Sequence, residues 1–406
     1  MTLSTAQQHR AARRGTRRVA AVALAAAVSL VLAACGGSDD GDTAAADQEP
    51  AGEVAEADGP LDLAGVCPAT VVMQQDWQPE AEHGAMYHLV GDDYTIDADA
   101  KTVSGSLVVD GTDTGVDVEV RPGGPNVNFQ PVPALMYLDT DILIGAVNTD
   151  AAIVAQADQP TVAVASQMTF SPQIIMWDPE SHPGATTIEQ AAADGAPLVT
   201  SGDVIPALLE SQGIITSSQI DLSYEGTPQR FVSDPTILQQ GFATAEPFIY
   251  ENEIAEWAAP VSYQLLSEVG YSIYPEPLAV REASVTEEAD CLAKLVPIMQ
   301  QSQLDYLADP AGTNDLIVEI VEAYSTGWTY SKGVADYSVE QQVDLGIVTD
   351  DEASGVFGQI DPDRMAEIVS TFGPFLEEAG TIPSADIDPE SLYTNEFIDT
   401  SISMGE

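Results

Sequence analysis

The chain has 406 residues, with 65 Asp and Glu against 12 Lys and Arg, a formal charge of −53. A charge this negative excludes nucleic acid as a partner and electrostatic attraction to an anionic lipid surface. Lys and Arg are both scarce, so the acidity suits either solubility at high salt or plain solvation of an exported protein.

Arg10, Arg13, Arg14, Arg17 and Arg18 precede the apolar run "VAAVALAAAVSLVLAA", a basic region and a hydrophobic region of secretory type. Residues 1–34 are therefore expected to be a signal peptide, not a membrane span. The run ends in Leu32-Ala33-Ala34-Cys35, which resembles the lipobox of bacterial lipoproteins. That resemblance implies lipidation of Cys35 and anchoring at the extracytoplasmic face of the cell membrane. An ordinary cleaved signal with a Cys at its end is the plainer alternative, and the arginine pairs leave a twin-arginine route open. Removal of the signal leaves seven basic residues against 65 acidic ones. Residues 35–60 carry no aromatic residue and one branched aliphatic, Val54. Such a stretch buries too little apolar surface to offset its ordering entropy. It reads as a disordered acidic tether reaching roughly 25 to 30 Å.

From Leu61 the chain is too long for one small core, and two lobes are expected. "ATVVMQQDW" reads as a buried strand and "EAEHGAMYHLVG" as the helix after it. Residues 92–115 alternate apolar and polar around turn dipeptides, as a hairpin-like insertion. "GVDVEVRPGGPNV", "PVPALMYLD", "DILIGAV" and "NTDAAIVAQAD" continue as strand, helix, strand, helix, the pattern of a sheet covered by helices on both faces. "TVAVASQMTFSPQIIMW" reads as one extended segment leaving lobe 1 (61–169). Lobe 2 (170–272) restarts the alternation: "TTIEQAAADG" helix, "PLVTSG" strand, "DVIPALLESQG" helix, "IDLSYEG" strand, "DPTILQQG" helix, "FATAEP" strand, "FIYENEIAEWA" helix. "EPLAVREASV" is the return strand, and residues 273–406 complete lobe 1 with C-terminal helices. Two passages between lobes imply a hinge. Cys67 and Cys291 are left after lipidation; in an oxidising exterior they pair, or they stay as two buried thiols. Without a nearby His pair they make no zinc site.

"DWQPEAEHGAMY", Asp76 to Tyr87, resembles the first strand-loop-helix of the nitrate, sulfonate and thiamine-pyrimidine-precursor binding family. "DILIGAVNTDAAI" and "SDPTILQQGFATAEPFIYENE" are similar to its later turn and second-lobe segments. The resemblance implies a two-lobed type II periplasmic-binding-protein fold of α/β class. It also implies an ABC-importer solute-binding lipoprotein that works as a monomer beside permease and ATPase subunits, without cofactor or metal. The insertion and the long acidic tether depart from the family pattern.

In open α/β sheets ligands sit beyond the carboxyl ends of strands. Trp77 falls at such an end, where an indole offers a stacking face or merely fills the core. Asp76 and His83 offer orienting hydrogen bonds, and Gly84 allows close approach to a solute. Tyr87 suits ligand contact or the helix core equally, and His88 is expected at the surface. Asn148 either meets the ligand or caps the following helix. Thr200, Ser201 and Gly202 form a cradle or a simple helix start, and Glu246 faces the same opening or is an ordinary solvated acid. Arg121 beside "PGGP" either contacts an anion or pairs with a surface acid. With so few cations, a neutral pyrimidine- or flavin-like heteroaromatic solute is favoured. The alternatives are an extracytoplasmic enzyme or a sensory lipoprotein. The chain lacks a Gly-x-Ser-x-Gly elbow, a His-Glu-x-x-His helix and any Cys-rich motif, so no catalytic residue is assigned.

Overall fold

The computed structural model describes residues 55–405 apart from Asp203 and Glu225. The signal peptide, Cys35 and most of the tether lie outside the described residues. Among the described residues thirteen strands form two sheets. The first sheet takes β1 (Ala55–Glu56), β2 (Thr70–Gln74), β3 (Thr95–Asp97), β4 (Thr102–Val109), β5 (Thr112–Arg121), β6 (Ile142–Ala146) and β7 (Thr161–Ala165). The second takes β8 (Gln173–Trp177), β9 (Leu198–Val199), β10 (Ile220–Asp221), β11 (Leu238–Phe242) and β12 (Ser262–Leu265), and β13 (Leu278–Arg281) returns to the first.

The order in the first sheet is β3-β4-β5-β2-β6-β13-β7, with β1 on β5; in the second it is β10-β9-β11-β8-β12. β2 runs parallel to both β5 and β6, while β13 is antiparallel to β6 and β7. β6 and β7 are buried at every position, which is why "ILIGA" and "TVAVA" read as unbroken apolar runs. β5 alternates buried and exposed, because it continues into the antiparallel meander β3-β4-β5 that residues 92–115 build. Asp110 and Gly111 both take positive φ, 49° and 71°, at the tight turn between β4 and β5.

The helices are α1 (Gly84–His88), α2 (Val132–Leu138), α3 (Thr149–Ala155), α4 (Ile188–Ala192), α5 (Val204–Ser211), α6 (Gln229–Ser233) and α7 (Glu246–Asn252). After them come α8 (Ser284–Glu287), α9 (Ala289–Ala308), α10 (Ala311–Tyr324), α11 (Lys332–Asp344) and α12 (Pro362–Glu378). One face of the first sheet packs on α1, α9, α10 and α11 through Met73, Val118, Leu295 and Ile317. Its other face, through Val72, Ile142 and Ala279, shares a core with Ile175, Leu198 and Leu238 of the second sheet. α12 supplies Met365, Ile368 and Phe372 to that shared core, so one helix braces both sheets. A disulfide joins Cys67, just before β2, to Cys291 on α9, with Cα atoms 4.7 Å apart.

Three sequence expectations differ from the structure. "DPTILQQG" is not a helix: the helix lies earlier, as α6, and Leu238–Phe242 is strand β11. "FATAEP" is a turn leading into α7 rather than a strand. The long segment 161–177 divides into β7 and β8, which belong to different sheets; residues 166–172 between them are the first passage from sheet to sheet. The second passage runs through residues 266–277.

Candidate functional site

The site is built around the segment that leaves β2. Gly123 and Gly124, in the turn after β5, donate their N–H groups to the carbonyls of Trp77 and Asp76 at 2.6 and 2.8 Å. A Cβ at Gly123 would stand 2.4 Å from the Asp76 carbonyl, so this close approach requires glycine. The Gly pair after Arg121 therefore shapes the Asp76–Trp77 turn. A 3-10 turn, Ala81–His83, follows, pinned by the Ala81 N–H donating to the Tyr330 hydroxyl at 3.0 Å.

His83 is 2% exposed and lies between two carboxylates, its Nε2 3.2 Å from Asp76 and its Nδ1 3.5 Å from Glu276. Burial alone would lower its pKa, but the charges of Glu276 and Asp76 outweigh that and push it up to about 9. The neighbouring carboxyl groups thus favour the protonated ring. Asn148 completes the group: its Nδ2 donates to Asp76 at 2.8 Å and its Oδ1 accepts from the Glu276 N–H at 3.2 Å. Its side chain makes no capping bond to α3. Glu276 sits in the second passage with φ 50°, a left-handed conformation that a non-glycine residue holds only when its surroundings enforce it. Burial, then the charge of Asp76, pushes the Glu276 carboxyl up to about 8.

Further acids face the same place. The Glu80 carboxyl is raised well above its usual range by burial and by the charges of Glu82, Glu276, Asp76 and Glu246. Glu82 is 6% exposed, and its Oε2 has no hydrogen-bond partner. Glu246 comes from the second sheet's side, at the start of α7. Its oxygens accept from the Phe242 N–H at 2.7 Å and the Tyr224 hydroxyl at 3.3 Å. Burial raises it to about 7.

The Trp77 indole stands at the boundary between the two halves. Phe129 and Trp328 flank it at ring-centroid distances of 6.0 and 6.4 Å, and Tyr330 stacks on Trp328. From the other half, a Cβ on Gly226 would lie 4.0 Å from the edge of the indole. On that side Thr200 Oγ1 and the Ser201 N–H donate to Gln240 Oε1 at 2.6 and 2.9 Å, and Gly202 has φ 66°.

Other sequence candidates are placed apart from this group. Tyr87 is buried in the first core, its hydroxyl donating to Gln75 at 2.9 Å. Gly84 faces Tyr306, whose ring would be 2.1 Å from an added Cβ. His88, expected at the surface, is half-buried with Nδ1 2.9 Å from Thr313 Oγ1. Arg121 donates to Glu119 and Asp139 at 2.6 and 2.8 Å. It lines a separate cavity of about 200 Å³ with Gln74, Lys101 and Leu135. Sequence reasoning missed Glu80, Glu82 and Glu276; in so acidic a chain a carboxylate carries no signal of its own. Glu276 does have one local mark, its position between Pro275 and Pro277.

Donor atoms of Asp76, His83 and Glu276 lie within 4.8 Å of one another. Each ring nitrogen of His83 faces one of the two carboxyl groups. No helix among the described residues is long and apolar enough to cross a membrane.

Two α/β lobes, joined by two passages of chain, with this group at their boundary, define the type II periplasmic-binding-protein fold. Among solved structures the chain is similar to the periplasmic aliphatic sulphonate-binding protein SsuA from Escherichia coli. Identity is 10%, 80% of this chain and 92% of that one are covered, and the TM-score is 0.50. It is also similar to a zinc-bound ligand-binding component of an ABC-type import system from Staphylococcus aureus (11% identity, 80% and 97% covered, TM-score 0.49). A third is the alkanesulfonate-binding protein SsuA from Xanthomonas axonopodis pv. citri bound to MOPS (9%, 80% and 99%, TM-score 0.48). No family model matches the chain, and no curated protein matches it. At these identities the likeness concerns the fold.

Proposed function

We propose that the protein is an extracytoplasmic solute-binding protein of an ABC importer, lipid-anchored at Cys35 and acting as a monomer. It holds a small solute between lobe 1 and an inserted lobe 2, residues 170–272, and presents it to a permease. The observation that carries this reading is the position of Trp77, at a strand end in one lobe with its indole edge 4.0 Å from the Cβ position of Gly226 in the other. A ring there is suited to sensing closure and stacking on a ring-bearing solute, pyrimidine- or flavin-like in size. Binding rather than catalysis suits His83: an imidazolium engaged by two carboxylates is a poor general base at neutral pH.

A thermal-shift screen of pyrimidines, flavins, pyridoxal-type compounds, sulfonates and nitrate tests the reading, because a ligand of the folded state raises the melting temperature. The solute that raises it should lose roughly 1 to 3 kcal/mol of binding energy in Trp77→Ala. Full affinity in a folded Trp77→Ala protein removes the indole from the site.

A further inference from the structure

The acids at the lobe boundary come from three separate parts of the chain. Asp76, Glu80 and Glu82 follow β2, Glu276 lies in the second passage, and Glu246 opens α7 on the far side. Against them stands one cation, His83, already engaged by Asp76 and Glu276. Among the described residues the Lys and Arg ion pairs are made by Arg121, Arg230 and Lys332, all with other acids. The cluster is therefore left with more acidic than basic groups.

Its hydrogen bonding is incomplete in the same sense. Glu82 Oε2 is buried with neither a hydrogen-bond nor an ion-pair partner, whereas Asp76 Oδ1 and Glu276 Oε2 face the ring nitrogens of His83 at 3.2 and 3.5 Å. A buried acceptor without a donor is costly, so Glu82 calls for an N–H donor from a ligand. The neighbouring surface is aromatic: Trp77, Phe129 and Trp328. Carboxylates beside exposed ring faces are the pairing that recognises organic cations, by charge at one end and by cation–π contact along the body.

We propose that the boundary site takes an organic cation, an amine, amidine or protonated amino-heteroaromatic, with its N–H groups toward Glu80, Glu82, Glu246 and Glu276 and its body against Trp77. This rests on the reading of the lobe boundary as the solute site, and it replaces the neutral solute favoured by the sequence with a charged one. A sulfonate or nitrate entering here would meet like charge. In the absence of ligand, protons do part of the same work: Glu80, Glu246 and Glu276 all hold theirs more tightly than a solvated carboxyl. A bare metal ion is a weaker fit, because each ring nitrogen of His83 already faces a carboxyl group and one of them would have to lose its proton first.

The test uses three planar probes of one size, benzamidine, benzamide and benzoate, together with zinc and calcium chlorides alone. Each is titrated into the purified protein by calorimetry and by Trp fluorescence. Benzamidine should bind at least about tenfold tighter than benzamide, the size expected when charged hydrogen bonds replace neutral ones. Glu82→Gln and Glu246→Gln should each lower benzamidine affinity by more than benzamide affinity; two variants guard against a folding defect in either. If benzamide or benzoate binds as well as benzamidine, the cation proposal fails while the boundary remains a solute site. If metal salts alone reproduce the heat, and His83→Asn abolishes it, the site belongs to a metal and the proposal also fails. If no probe binds or changes Trp fluorescence, the cation proposal fails, while the solute-site reading is decided by the thermal-shift screen.

Discussion

His83, Glu246 and Glu276 make protonation at the boundary part of the fold's stability. Glu246 titrates at about 7 in the folded protein against a usual value of 4.5, so the folded state keeps a proton that the unfolded chain gives up. Its contribution is fully present below about 4.5 and is lost as pH rises through 7. His83 shifts the same way, from 6.5 to about 9; its contribution is present below 6.5 and disappears as pH rises through 9. Both signs agree, so the unliganded protein should melt at lower temperature at pH 8 than at pH 5. Surface acids produce a similar slope by mutual repulsion, and a variant separates the two. Glu246→Gln should gain stability relative to the parent at pH 8 but not at pH 5, read as the difference in melting temperature. Parallel curves for the two proteins would show that Glu246 titrates as an ordinary surface acid. At this scale the sequence marked Trp77, Asp76 and His83 because Trp and His are rare in the chain. It could not mark Glu82 or Glu276, which look like any other of the 65 acids until the fold brings them beside His83.

α12 is the element that decides how the two halves are held. Its Arg364 donates to the Thr169 carbonyl at 2.6 Å in the first passage, and to Ser272 and Ile273 at 3.1 and 3.0 Å in the second. The guanidinium also lies 3.9 Å from the Tyr274 ring centroid and 4.7 Å from that of Phe170. One side chain thus ties both hinge segments to a single helix. Arg364→Met keeps the apolar stem but leaves three carbonyls without a donor. It should cost roughly 2 to 4 kcal/mol in urea unfolding; a loss below about 0.5 kcal/mol, the scatter of surface changes, would mean the contacts carry no hinge role. The same scale shows what periodicity can and cannot reveal. β2, β6, β7 and the long helices were legible because their apolar patterns are uninterrupted. β11 was not, because "LQQGF" places Gln239 and Gln240, 2% and 4% exposed, where a strand normally carries aliphatics. Gln240 is buried to receive Thr200 and Ser201, a demand of tertiary structure that local pattern does not encode. β12 was missed for a related reason, since its four residues are all only half-buried.

Over the whole molecule the acids fall into two populations that respond differently to salt. Most are solvated, and ion pairs with Lys or Arg engage only Glu119, Asp139, Asp221, Asp315 and Asp336 among the described residues. Repulsion among exposed charges acts over the Debye length, about 10 Å at 0.1 M salt and about 3 Å at 1 M. Raising sodium chloride through that range should therefore raise the melting temperature of the unliganded protein. Glu82 is buried and Glu80, Glu246 and Glu276 are half-buried, so mobile ions reach them less than the surface acids, and salt should leave their preference for protonation nearly intact. The expected outcome is a melting temperature that climbs with salt at both pH 5 and pH 8, with the gap between wild type and Glu246→Gln at pH 8 persisting in 1 M salt. A gap that closes in high salt would place Glu246 in contact with solvent and open the boundary that Trp77 and Gly226 form. A melting temperature indifferent to salt would show that the acidic surface is already spaced widely enough to cost the fold nothing.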